Sequence, residues 1–386
     1  MKKWWIGAAL AAVCVSQSAR AQLPPGGGVV PDPVPVAPCP APGGPGNLDF
    51  VPGPLNGTTA PPGPNDGLSL PADVPTAWGR GGTPESGAYL TLGALGLMRE
   101  RPGHGIIAEF NGQPALTTHD LDPDYYWGGR VTFGYLCDDA AIELTGFYVP
   151  EQETAVLSYA PNQLTLPFRN NPLGFEGPTG AGLLTRADSV ALRLKSSLGD
   201  AELNYRWWSR TTTGPEAIIG VRYMNVQERA DITASSVQSG VNSPLDFGSL
   251  QASYTGRANN NLIMAQGGFE WEFPLTKWLS FGSVAKVAAG GDYVNVTNRA
   301  ITAGGLVGAN FERDRWTYAS ACELNLFLDI VQFEKVRLRA GYTAMWVVHV
   351  AEGFQQVTFD LSAQPGVRDS GSIFYHGPMI ELELLF

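Results

Sequence analysis

Long apolar runs are missing from this sequence after its amino-terminus, and that absence removes the commonest route into a membrane. No later stretch approaches the roughly 18 to 20 consecutive apolar residues that a spanning helix needs. A chain of this kind enters a bilayer only as a closed barrel, which satisfies every backbone N–H and C=O internally. Charge is scarce too, at 16% of residues, and it leans acidic, with a net charge of −11. Phosphate binding needs clustered Lys and Arg, so a nucleic-acid partner is not expected. Only four cysteines occur, Cys14, Cys39, Cys137 and Cys322, with no metal-like or paired spacing, and no disulfide framework is expected. Histidine is limited to His104, His119, His349 and His376. Phosphate-cradling glycine loops, nucleophile elbows and metal-binding His/Cys spacings are all missing. The expectation is therefore no cofactor, no metal and no catalytic residue. Asp120, Asp122 and Asp124 alternate as in a cation-binding loop but lack its glycine and distal Glu, and read as a solvated acidic loop.

What the chain does have is apolar and aromatic material in short pieces. Hydrophobic residues make up 44%, aromatics 10%, and there are 47 glycines, a composition that fits an all-β body. Met1 to Ala21 reads as a secretory signal peptide, with Lys2 and Lys3, an apolar stretch from Trp4 to Val15, and a small-residue exit at Ala19 to Ala21. Ala11, Ala12 and Val13 make a poor lipobox before Cys14, so cleavage before Gln22 is preferred to a lipoprotein anchor. Residues 22–87 are dominated by proline and glycine and read as a disordered periplasmic arm, a spacer or a linker without a specific partner.

From Ala88 onward, stretches of two-residue alternation recur. They predict strands at Ala88–Arg99, Tyr125–Cys137, Ala141–Val149, Asp188–Arg210, Ala217–Arg229, Leu262–Phe273, Lys277–Ala289, Arg315–Asp329, Lys335–Val348 and Ser372–Phe386. The stretches between, Pro150 to Arg186, Ala230 to Asn259, the segment up to Arg313, and His349 to Gly371, read as long loops. In Asp188–Arg210 the apolar phase changes at Gly199, which a turn or a β-bulge would produce. Short turns on one side, long loops on the other and an even strand count decide for a single bulged strand. The fold predicted is an all-β, transmembrane, antiparallel up-and-down barrel of about ten strands over residues 88–386.

Every strand has one apolar and one polar face. A soluble barrel would put the apolar face inside, and a membrane barrel would turn it to lipid. The leader, the aromatic residues near strand ends such as Trp127, Tyr148, Trp207 and Trp346, and the terminal Phe386 favour the membrane. The polar face then lines a lumen with Arg130, Glu143, Arg193, Lys195, Glu202, Arg206, Arg222, Glu270, Glu272, Lys286, Glu323, Lys335, Arg337, Arg339, Glu381 and Glu383. A ten-stranded barrel carrying both signs should be largely plugged by its own ion pairs. Arg337 and Arg339 are expected to face Glu381 and Glu383 across the last hairpin. Phe386 is the expected signal to the barrel-assembly machinery.

The segments Gly220 to Ile232 (GVRYMNVQERADI), Gly199 to Arg206, Asn259 to Phe273, Arg130 to Val149, Arg337 to Trp346 and the carboxy-terminal strand together resemble the beta-barrel porin seven family of planctomycete outer-membrane proteins. The resemblance implies an outer-membrane barrel and carries over no substrate or catalytic residue. The first strand, YLTLGALGLMRE, departs from it by lacking a tryptophan-rich run. Three functions are open: a structural or loop-mediated surface role, a low-conductance pore for small solutes, and a surface hydrolase using His349 and Glu352. The partners expected are outer-membrane lipid, the assembly machinery and small solutes.

Overall fold

Alternation in short strands leaves each strand with an uncovered apolar face and unpaired backbone, and closing the sheet on itself resolves the second problem. The computed structural model describes residues 87–386, except 138–139, 172–182, 209–214, 237–249, 277, 303–306, 334–335 and 363–365. The leader and the Pro/Gly-rich arm lie outside the described residues. The strands are β1 (Gly87–Arg99), β2 (Ile106–Phe110), β3 (Gln113–Thr117), β4 (Tyr126–Cys137), β5 (Ala140–Thr165), β6 (Ala187–Trp208), β7 (Glu216–Ser236), β8 (Leu250–Pro274), β9 (Leu279–Thr302), β10 (Val307–Phe333), β11 (Val336–Val350) and β12 (Gly371–Leu385). Ten of them form a closed antiparallel barrel in the order β1-β4-β5-β6-β7-β8-β9-β10-β11-β12, and β12 returns to β1. The β2–β3 hairpin hangs from the far end of β5, where Glu109 and Phe110 face Thr165 and Leu164.

The seam joins the poorest sequence match to the best. Leu90 faces Leu384, Leu92 faces Leu382 and Ala94 faces Ile380, so both apolar faces point the same way. Phe386 donates its backbone N–H to the Ala88 carbonyl at 2.9 Å and leaves its ring exposed.

The wall is uneven. Strands β5 to β10 have 21 to 27 residues, whereas β1, β4, β11 and β12 have 12 to 15. A spanning strand needs about 9–11 residues, so the six tall strands project well beyond the bilayer on the side away from the short turns. By the rule that short turns are periplasmic, that side is extracellular.

The projecting half inverts the membrane pattern. On β6 the inward positions are all even: Val190, Leu192, Leu194 and Leu198 are buried in the upper half, and Asp200, Glu202 and Asn204 in the lower. The outward positions are odd, with Leu203, Tyr205 and Trp207 exposed below and Arg193 and Lys195 above, where they pair with Glu153 and Glu151. The phase change at Gly199 is therefore no bulge, because β6 keeps unbroken register with β7 through Gly199↔Asn225. It marks the level where lipid gives way to water: apolar residues face out below it and in above it. The bulge lies on β5, where register jumps from Val149↔Leu198 to Gln152↔Ser196 across Pro150, a residue that cannot donate to the ladder.

This inversion also corrects three loops. Much of Pro150–Arg186, Ala230–Asn259 and the segment up to Arg313 is strand, because above the lipid the outward face is mostly Asn, Thr, Gln and Arg, with only scattered apolar residues such as Leu157, Tyr159 and Val307, and gives a weak alternation. Asn225 donates to the side chains of Asn259 and Asn261 there, and Asn295 donates to Glu312 and Asp314.

Cys137 is a free, exposed thiol at the base of β4. Cys322 on β10 is disulfide-bonded, against the expectation for the cysteines.

Two positions on one strand test where the lipid ends. Val221→Arg, on the lower outward face of β7, should cost about 2–4 kcal/mol of unfolding free energy in bilayers. Thr233→Arg, on the same face above the inversion, should stay within about 0.5 kcal/mol. Denaturant titration of the two variants in vesicles measures the difference.

Candidate functional site

The interior is filled in layers, which can be read upward along β7 as Glu216, Ile218, Arg222, Met224, Val226, Glu228, Ala230 and Ile232. At the periplasmic end is a polar chamber of about 100 Å³. Arg206 holds Glu143 at 2.7 Å and Glu216 at 3.2 Å, and also bonds Glu270. Arg339 reaches Glu270 and Asp329, each at 2.9 Å, and Arg337 reaches Glu383 at 2.9 Å and Asp329 at 3.3 Å. Glycines make room for two of these contacts. Tyr89 crosses Gly134, where a Cβ would lie 2.1 Å from its Cζ, to bond Glu143. Phe327 lies over Gly282 and carries the Arg339 guanidinium on its ring at 3.6 Å, a cation–π contact.

Above the chamber sits the most buried charge cluster. Arg222 bonds Asp200 at 2.6 Å and Glu323 at 2.8 Å, and lies 3.8 Å from Glu202. Lys286 bridges Glu202 at 2.9 Å and Glu323 at 3.4 Å, and Arg130 spans Glu323 and Glu381. Gln266 and Asn204 complete the hydrogen bonds of Glu202. Over this cluster lies an apolar belt that includes Leu198, Met224, Val226, Leu262, Val347 and Tyr375.

The extracellular half is closed by chain folded inward. Residues 351–361, which follow β11, lie inside the tall wall, with Val357 and Leu361 packed against Ile232, Ala234, Tyr254 and Ala300. Asn260 ties Ala351 by two bonds, of 2.8 and 2.9 Å. A buried latch anchors this plug: Arg99 of β1 pairs with Glu228 of β7 at 2.8 Å and with Glu352 of the plug at 3.4 Å. Glu228 also accepts the Gly353 N–H, and Glu352 accepts the Ser372 N–H.

Of the residues expected in the lumen, Arg130, Glu143, Glu202, Arg206, Glu270, Glu272, Lys286, Arg337, Arg339, Glu381 and Glu383 line the chamber or its roof, and Arg222 and Glu323 form the cluster above. Arg193 does not line the lumen: its side chain is 53% exposed on the outer wall, paired with Glu153. Lys195 lies on the same outer face, and Lys335 falls outside the described residues. The alternation that placed them inside had already inverted at Gly199. Across the last hairpin Arg337 does face and bond Glu383, but Arg339, in register with Glu381, turns instead to Asp329 and Glu270. Sequence reasoning passed over Asp200, Glu216, Glu228 and Arg99. The first three sit in phase with Glu202 and Arg222, so parity alone would have found them. His349 and Glu352, the candidate hydrolase pair, diverge: His349 sits in a bulge with φ 62° and its ring lies 6.0 Å from that of Tyr318, tilted by 57°, whereas Glu352 belongs to the latch.

Removing Arg222 strands buried carboxylates. Arg222→Met should cost about 3–5 kcal/mol, and adding Asp200→Asn and Glu323→Gln should recover most of it, read as unfolding free energy and as the heat-modifiable gel shift. The latch predicts a pH dependence. Burial pushes the Glu352 carboxyl up to about 7 against the pull of Arg99, with Glu228 adding to the rise. The seated plug then holds a proton that a released, solvated Glu352 gives up. Plug stability is fully present below about pH 4.5, declines as pH rises toward 7, and is flat above, a change on the order of 3 kcal/mol. Glu352→Gln should abolish the slope, measured by proteolysis of the 351–370 segment against pH.

No curated protein matches the chain. Among solved structures, the outer membrane protease OmpT from Escherichia coli is similar at 9% identity, with 79% of this chain and 98% of that chain covered and a TM-score of 0.39. The P. putida toluene transporter TodX is similar at 9% identity over 78% and 89%, with a TM-score of 0.21. A Pseudomonas aeruginosa FadL homologue follows at 10% identity over 78% and 90%, with a TM-score of 0.23. At these scores the likenesses say nothing of what this chain does. The family model described as Putative beta barrel porin-7 (BBP7) matches residues 99–366, most of the ten-stranded barrel, and the chain belongs to that family of outer-membrane barrels.

Proposed function

We propose that this protein is a sealed outer-membrane barrel whose role is structural or surface-directed and is carried by its extracellular wall and plug, not by transport through the lumen. The observation that supports the reading is the filling of the interior at every level, from the paired charges of the chamber through the apolar belt to the inward-folded residues 351–361. Ten strands leave an interior that side chains can fill, and here they fill it. The surface-hydrolase alternative has lost its residue pair, and the protein is proposed to be no enzyme. Its partners are lipid along the lower outward face and the barrel-assembly machinery, which would read the exposed Phe386 ring at the end of β12. Export by the leader at residues 1–21 and a periplasmic place for the arm at residues 22–87 belong to the same reading.

A narrow pore for small solutes is the second reading, favoured by the polar, mixed-charge chamber at the periplasmic end. Planar-bilayer recording separates the two. The intact protein should give no unit conductance steps, and deletion of residues 353–369 should not introduce them, because the apolar belt and the Arg222 cluster below still fill the lumen. Reproducible unit steps from the intact protein would replace the sealed barrel with the pore.

A further inference from the structure

Asp292 is a buried carboxylate that no Arg or Lys meets among the described residues. It points inward from β9 just above the apolar belt, is 0% exposed, and neither carboxylate oxygen has a hydrogen-bond partner. The backbone amide of Asn261 approaches it from β8 without closing a bond. No ion pair to it occurs among the described residues, whereas Asp200, Glu202, Glu228, Glu270 and Glu323 are each met by Arg or Lys. An isolated buried carboxylate costs several kcal/mol, so the site calls for something positive.

A second carboxylate stands beside it. Thr317 of β10 is directly opposite Asp292 in the ladder and donates its hydroxyl to Asp369 Oδ2 at 2.6 Å. Directly opposed residues on one face have Cβ atoms about 4.5–5.5 Å apart, which sets Asp292 beside the Thr317–Asp369 pair. Among the described residues the cation that meets Asp369 is Arg315, which is 57% exposed and reaches it at 3.8 Å from the rim, while the neighbouring Arg368 is turned to the Gln355 carbonyl. Nitrogen and sulfur ligands are missing among the described residues here, and the donors are two carboxylates and a hydroxyl. Such a set suits a hard cation with flexible coordination, calcium before magnesium, because magnesium resists giving up its water.

We propose that Asp292, Thr317 and Asp369 bind a calcium ion that fastens the segment between the plug and β12 to the β9–β10 wall. Asp369 belongs to that segment, whereas Asp292 and Thr317 belong to the barrel, so the ion would be a second tie opposite the Arg99 latch. The inference does not depend on whether the lumen conducts.

Calcium binding to the folded, full-length protein in a zwitterionic detergent, free of anionic lipid, tests it. Calorimetric titration should show one site with a dissociation constant of about 10⁻⁴–10⁻³ M, the range of sparsely charged extracellular sites, and calcium should raise the unfolding temperature. Asp292→Asn keeps the shape, removes the buried charge and should still fold. It should lose both responses, while Asp369→Asn should weaken binding at least ~10-fold. Wild-type protein that takes up no calcium overturns the proposal, as does calcium binding that survives in Asp292→Asn. Either result would leave the conductance reading of the sealed barrel untouched.

Discussion

The guanidinium of Arg222 is the interaction on which this interior depends. It is 1% exposed in the middle of a membrane barrel, and its neighbours Asp200, Glu202 and Glu323 come from β6 and from β10 across the lumen. Each of those carboxylates alone would be too costly to bury, and so would the arginine. Together with Lys286 and Arg130 they form a cross-brace that spans the barrel, and the brace makes a narrow lumen a solid one. Carboxylates still outnumber cations in the chamber and its roof, which is tolerable only because that end opens toward water through the chamber.

The brace also divides the chain into two solvents. Below it the barrel is built for lipid outside and charge inside. Above it the same strands obey the rule of soluble proteins, with leucine, valine and alanine inside and asparagine, threonine and arginine outside. No residue changes side to achieve this on β6; the sequence pattern reverses while the pleat continues. The extracellular half is thus a soluble domain whose core includes the plug, grafted on a membrane domain whose core is ionic.

That reversal decides how far the sequence could be read. In the lipid zone the two-residue alternation is strong, and it yields the strand number, the seam of β1 with β12 and the alternation of apolar and polar faces. In the upper half the outward face is polar and the inward apolar set is Ala, Val and Leu broken by glycine and asparagine, so strands read as loops and Arg193 reads as internal. The plug was beyond reach for another reason. Val357, Leu361 and Glu352 carry no periodic signal, and their burial follows from where residues 351–361 fold, which the tall wall alone determines.

The uneven wall has a consequence for how the barrel can be completed. Its closing seam joins strands of 13 and 15 residues, whereas the wall on the opposite side is built from strands of up to 27. Along residues 150–163 of β5 and 307–319 of β10 the edges extend past their short neighbours β4 and β11 and keep a ladder on one side only. Charges on the β10 edge, Glu312, Arg313, Asp314 and Arg315, discourage another strand from adding there. The molecule is thus a complete cylinder only within the membrane and an open trough outside it, so the zipper that shuts the barrel has to run the thickness of a bilayer and no farther.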